Sequence, residues 1–224
     1  MGLLLPLVVL GLAGCNPENP YSFDGQKMSE FFPFDGDVRT WQFVNESEDV
    51  SNKINAEVLY EEATGKPGQR VYPVVYFSEC PSNDPGCTDG EEFFRIHWRS
   101  SDSEGVFIHG YSVAGGELVE FKPPLQVADS DGKVGDLVET KTGGANWTSE
   151  FTAIESCPVQ MLVDWESCSR FRIETDGADG YPLQGDWWAI VQYNVVAFQL
   201  DGDVGMWQLK QSKCDPPESC DGQW

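Results

Sequence analysis

Two histidines are the whole imidazole supply of this 224-residue chain, so acid–base or metal chemistry that needs one must use His97 or His109. Around the second of them, His109-Gly110-Tyr111-Ser112-Val113-Ala114 approaches the G-x-S-x-G elbow, in which a strained strand-to-helix turn exposes a nucleophilic serine. Here the last position is Ala, and the next residues, Gly115-Gly116, spell a hairpin turn and not a helix. A Ser-His-Asp site would have to draw on His97 or His109, and both stand in strand patterns. Aspartates abound, yet no pair is set apart as the acid and base of a glycosidase. No residue is therefore singled out as catalytic. A hydrolase using a scattered carboxylate or serine site stays as the alternative to a binding or structural module.

Two other stretches could hold a ligand. In Asp129-Ser130-Asp131-Gly132-Lys133-Val134-Gly135-Asp136, three carboxylates surround two glycines, and hard oxygens on a tight loop are what Ca2+ coordination needs. Asp129, Asp131 and Asp136 are the candidate ligands, and Ca2+ is the one cofactor the sequence suggests. The loop opens like an EF-hand and then departs: Lys133 stands at the fifth position, Val134 at the sixth where glycine belongs, and Thr140 at the twelfth. The competing reading is a solvated turn in an acidic protein. Among eight tryptophans, Trp187-Trp188 is the sharp case, because adjacent strand residues point to opposite faces. One of the two should lie off the main core, where an indole can serve as a platform for a sugar or peptide; the alternative is burial under a loop or a second sheet.

Six cysteines fall into close neighbours along the chain: Cys80 with Cys87, Cys157 with Cys168, and Cys214 with Cys220. Their spacings lack the C-x2-C signature of zinc ribbons, so disulfides in sequential pairing are expected, and with them an oxidising compartment. The seventh, Cys15, needs a separate explanation in a secreted chain. It follows Leu12-Ala13-Gly14 at the end of an uncharged apolar run that is shorter than the roughly 20 residues needed to cross a bilayer. This arrangement resembles the lipobox of bacterial lipoprotein signal peptides, with all four positions matched. The resemblance implies removal of residues 1–14 and acylation of Cys15, hence palmitate or a similar chain. It implies an exported protein of a bacterial cell envelope, lipid-anchored on a periplasmic or cell-surface face.

Thirty-seven acidic residues against fourteen basic ones give a formal charge of -23, all of it in residues 15–224. Such a field repels phosphate backbones and anionic headgroups, which speaks against nucleic-acid partners and against electrostatic adhesion to a membrane. The membrane would instead be reached through the N-terminal lipid, and an envelope protein or glycan partner stays open.

The elements that must position these residues are strands. Asp-Gly, a preferred filler of hairpin turns, occurs eight times. Between the turns lie runs rich in Val, Ile, Phe, Tyr, Trp and Thr: 38–44, 54–60, 70–78, 92–100, 106–113, 117–121, 147–155, 169–175, 187–200 and 204–210. No stretch sustains a helical apolar period over three turns. The expected fold is all-β, a mainly antiparallel sandwich or a strongly curved, barrel-like sheet of about ten strands with few short helices. Within 92–100, Phe94, Ile96 and Trp98 share one face and Arg95, His97 and Arg99 the other. The long run 187–200 reads as one central strand. Residues 15–30 read as a tether, 31–213 as a single β-rich domain, and 214–224 as a tail pinned by its own disulfide.

Phe31-Phe32-Pro33-Phe34, a turn at Gly36, then Trp41-Gln42-Phe43 resembles a recurrent opening of bacterial envelope lipoproteins, with a weaker echo at Pro124-Leu125 and Val134-Gly135-Asp136. The resemblance implies a β-rich exported domain and no defined activity. The two echoes suggest halves meeting near 123–131.

Overall fold

The computed structural model describes residues 27–34, 38–47, 50–78, 90–159, 167–177, 181–190 and 194–214. The lipobox with Cys15, together with Cys80, Cys87, Cys220 and the side chain of Cys214, lies outside the described residues.

The chain is all-β. Among the described residues there are twelve strands: β1 Val38–Ser47, β2 Val50–Val58, β3 Tyr72–Ser78, β4 Glu92–Ser101, β5 Gly105–Val113, β6 Val119–Ala128, β7 Leu137–Thr142, β8 Ala145–Glu155, β9 Cys168–Thr175, β10 Gly185–Ile190, β11 Asn194–Leu200 and β12 Trp207–Cys214. They form one antiparallel sheet in which β1 to β6 and β7 to β12 are two meanders joined by pairing of β1 with β12. The sheet curls into a nearly closed barrel whose seam lies between β6 and β7. At this seam the ladder gives way to a bond from the Gln126 amide to Thr140 Oγ1, 3.3 Å.

The count of strands exceeds the expected ten for two reasons. The run 187–200 is a hairpin, β10 and β11, and not one central strand. Gln192 and Asn194 interrupt the run in sequence without identifying a reversal, because both arms are apolar and face the core; Asn194 takes the left-handed conformation (φ 65°) that its short amide tolerates. The second addition, Leu137–Thr142, has its odd positions exposed and reads as a loop in sequence. β6 also runs through Pro123-Pro124 to Ala128, beyond the expected end at Phe121; it is an edge strand, where proline deprives no ladder of a donor. The β7–β8 reversal is made by Gly143-Gly144 with φ of 59° and 81°. The described Asp-Gly pairs sit instead in longer connections, where their carboxylates hold neighbouring groups.

A twelve-stranded ring is too wide for ordinary strand side chains to fill. Here large aromatics and an inserted segment fill it. Residues Met28–Phe31 form a 3-10 turn with Met28, Ser29 and Phe31 buried and Glu30 exposed, so Met28 and Ser29 belong to the core and not to the tether, because the ring needs their volume. The Phe32 ring stacks on Trp98 of β4 and meets Phe171 of β9 edge-on, both at 5.7 Å between centroids, bridging opposite walls. Trp98 meets Trp187 of β10 at 6.1 Å, and Phe198 of β11 packs on Phe43, Tyr76 and Trp187.

The inserted segment enters at one end of the barrel, where the Met28 amide bonds to the Ser130 carbonyl (3.0 Å) and Ser29 Oγ to Asp102 (2.7 Å). We call this the near end. The C-terminal ends of β1, β3, β5, β7, β9 and β11 make the far end. Among the described residues, no helix is long and apolar enough to cross a membrane.

Candidate functional site

The outer face of β4, β5 and β6 gathers both histidines. Arg95, His97 and Arg99 alternate outward along β4, as the sequence pattern requires, while Phe94, Ile96 and Trp98 are buried inward. On β5, His97 pairs with Gly110 and Trp98 with Ile108, which leaves His109 as a bulge without a partner on β4. A bulge shifts the alternation by one residue. Beyond it Ser112 stands opposite Arg95 on the outer face and Tyr111 opposite Ile96 on the inner one, while Glu120 of β6 stands opposite Gly110. Simple alternation along β5 would not have placed Ser112 beside the histidines; the bulge does.

This face is rich in charge but closed on itself. Arg95 donates to Glu62 at 2.7 Å and to Glu92 at 3.0 Å; Arg99 donates to Glu104 at 2.6 Å and lies over the Phe107 ring, 4.4 Å from its centroid. Burial, then the Arg95 charge, holds His97 below the usual imidazole range. Burial, then Arg99 and His97, does the same to His109. Both are neutral at neutral pH. A hydrogen bond from Lys122 lowers the Glu120 carboxyl. Among the described residues neither histidine hydrogen-bonds a serine or a carboxylate, and His109 Nε2 is buried without a partner. Ser112, His97 and Glu120 share a face without forming the chain of bonds that would make Ser112 a nucleophile.

The acidic connection between β6 and β7 does not bring its three carboxylates to one point. Asp129 accepts from the Gln126 side-chain amide at 2.6 Å, Asp131 pairs with Lys27, and Asp136 accepts from the Lys133 amide at 2.7 Å, closing its own turn. No group of three or more His, Cys, Asp or Glu among the described residues is arranged to hold a metal ion.

The expectation of a solvent-side indole is corrected: Trp187 is 1% and Trp188 4% exposed. Trp187 points into the barrel and donates its Nε1–H to the Leu183 carbonyl, 2.9 Å. Trp188 points to the outer side, as alternation demands, yet it is covered. Its Nε1–H donates to Glu155 at 2.7 Å and the Arg170 guanidinium lies 5.1 Å from its ring centre. Arg170 is in turn fixed by Asp186 at 3.0 Å, and Arg172 reaches both Asp186 and Asp201. The bond to Arg172 holds the Asp201 carboxyl below its ordinary value. Beside this network Cys157 and Cys168 form a disulfide between the end of β8 and the start of β9, as sequential pairing predicts. These charges staple the strands; the platform a ligand would need is already occupied.

Inside the barrel, a cavity lined by Trp41, Phe43, Tyr76 and Asn194 offers about 10 Å³ to the centre of a water molecule, room for one water at most. The Asn194 side-chain oxygen accepts from the Val195 amide at 2.7 Å, and its Nδ2 is buried without a partner. A water there would relieve an orphan donor that otherwise costs about 1–3 kcal/mol.

No family model matches this chain, and no curated protein or solved structure matches it significantly.

Proposed function

We propose that this chain is an exported, lipid-anchored protein of a bacterial envelope, held to a membrane through acylated Cys15, and that its barrel acts as a binding or structural module. Leu12-Ala13-Gly14-Cys15 supports the anchor. The observation that carries the module reading is the filled interior: aromatic rings and the 28–34 segment occupy the space in which a wide barrel would hold a ligand. Work is then left to the outer surface. A net charge of -23 favours cationic over nucleic-acid or anionic partners there. The alternative, a periplasmic or surface hydrolase, would draw on Ser112, His97 and Glu120, whose shared face lacks the activating bonds.

The anchor is tested by Cys15→Ser in a bacterial host, followed by detergent phase partitioning. The variant is expected to leave the detergent phase as soluble protein or to accumulate as uncleaved precursor. An unchanged detergent-phase fraction would refute the lipoprotein reading.

A further inference from the structure

The barrel wall is weakest on either side of β6. Against β7 it has no ladder: among the described residues the two strands share one hydrogen bond, from the Gln126 amide to Thr140 Oγ1 at 3.3 Å. Against β5 the ladder is broken at His109. Ile108 pairs with Leu125 and Gly110 with Glu120, so residues 121–124 of β6 pass His109 without a partner on β5, and Pro123 and Pro124 have no N–H to offer. His109 is unpaired on the β4 side as well, between the pairs His97 with Gly110 and Trp98 with Ile108. The next residue, Gly110, brings β6 so close that a Cβ there would lie 2.5 Å from the Val119 carbonyl. A shift of His109 is therefore passed to β6.

The charges around this imidazole are one-sided. His109 is half-buried, its Nε2 has no partner among the described residues, and the charges it feels are those of Arg99 and His97. Arg99 is itself committed to Glu104 at 2.6 Å and to the Phe107 ring. The other carboxylates of this face, Glu62 and Glu92 bonded to Arg95 and Glu120 paired with Lys122, act on His97 and not on His109. A half-buried cation facing other cations is driven toward water. We propose that His109 is an acid-operated catch: its protonation drives the imidazole out of the bulge, frees β6 from β5 and opens the barrel along the β6–β7 seam. Edge strand β6 is the element that can answer, since it has one ladder to lose where an interior strand has two. The inference goes beyond the reading proposed above and holds whether or not the chain is anchored.

The test is native-state hydrogen exchange at pH 7 and pH 5, corrected for the intrinsic pH dependence of exchange and repeated at low urea concentrations. An imidazole that regains its ordinary 6.5 in the open state raises the open population by up to about 25-fold over this interval. At pH 5 the amides of 125–128 on β6 are expected to exchange about tenfold or more faster than those of 169–173 on β9, and with little dependence on urea, as a local opening requires. His109→Gln should abolish the acid response of β6, and His97→Gln should leave it in place. Because a substitution in the bulge can unfold the chain, the His109 imidazole is also titrated by NMR in the unsubstituted protein, where its midpoint should coincide with that of the β6 protection loss. A single rate and urea dependence shared by β6 and β9, an acid response that survives His109→Gln, or a β6 midpoint that follows His97 instead overturns the catch.

Discussion

Replacing Phe32 by alanine removes the ring that joins opposite walls of the barrel. The side chain is 1% exposed and packs on Trp98 and Phe171 with centroids 5.7 Å away on either side. Deleting a buried phenylalanine costs about 3–5 kcal/mol, and the upper part of that range applies where neighbours cannot collapse into the hole. Here they cannot: Trp98 and Phe171 stand on strands β4 and β9, each held by ladders to both neighbours. Loss of about 4 kcal/mol is a large share of the 5–15 kcal/mol that holds a typical domain folded. For a chain of this size it corresponds to a fall in Tm of about 10 °C. Urea unfolding with the disulfides intact, followed by tryptophan fluorescence, measures it. The control is Leu118→Ser, 42% exposed and expected to change stability by less than about 0.5 kcal/mol. A change below about 1 kcal/mol for Phe32→Ala would mean that residues 28–34 do not form part of the core.

Two further outcomes follow from the charges. Both histidines are held below their ordinary 6.5 in the folded chain, so the unfolded chain binds protons more readily; their contribution is whole above pH 6.5 and is lost as pH falls through the lower folded values. Tm should therefore decline between pH 7 and 5, and His97→Gln with His109→Gln should flatten that limb; an unchanged slope would show that other groups set it. Because Asp131 is paired with Lys27 and Asp129 and Asp136 have partners of their own, Ca2+ and Mg2+ at equal ionic strength should raise Tm equally by screening. A rise specific to Ca2+ and abolished by Asp131→Asn would reinstate a calcium loop.

What the sequence determined by itself was local. Period-two alternation in 92–100 placed Phe94, Ile96 and Trp98 inward and Arg95, His97 and Arg99 outward, because a strand offers only two faces. The short spacing of Cys157 and Cys168 made their pairing legible. Ser112 failed as a nucleophile elbow in sequence and stands in the structure on a strand followed by a turn. Tertiary structure decided what has no local signature. Alternation names a face but not its cover, so Trp188 could be read as outward but not as buried under Glu155 and Arg170. A bulge at His109 reverses the alternation, and only the pairing of β4 with β5 reveals it. Nor does a strand state its partner: the β1–β12 pairing, the seam between β6 and β7, and the insertion of residues 28–34 arise because twelve strands closing together leave a space that must be filled.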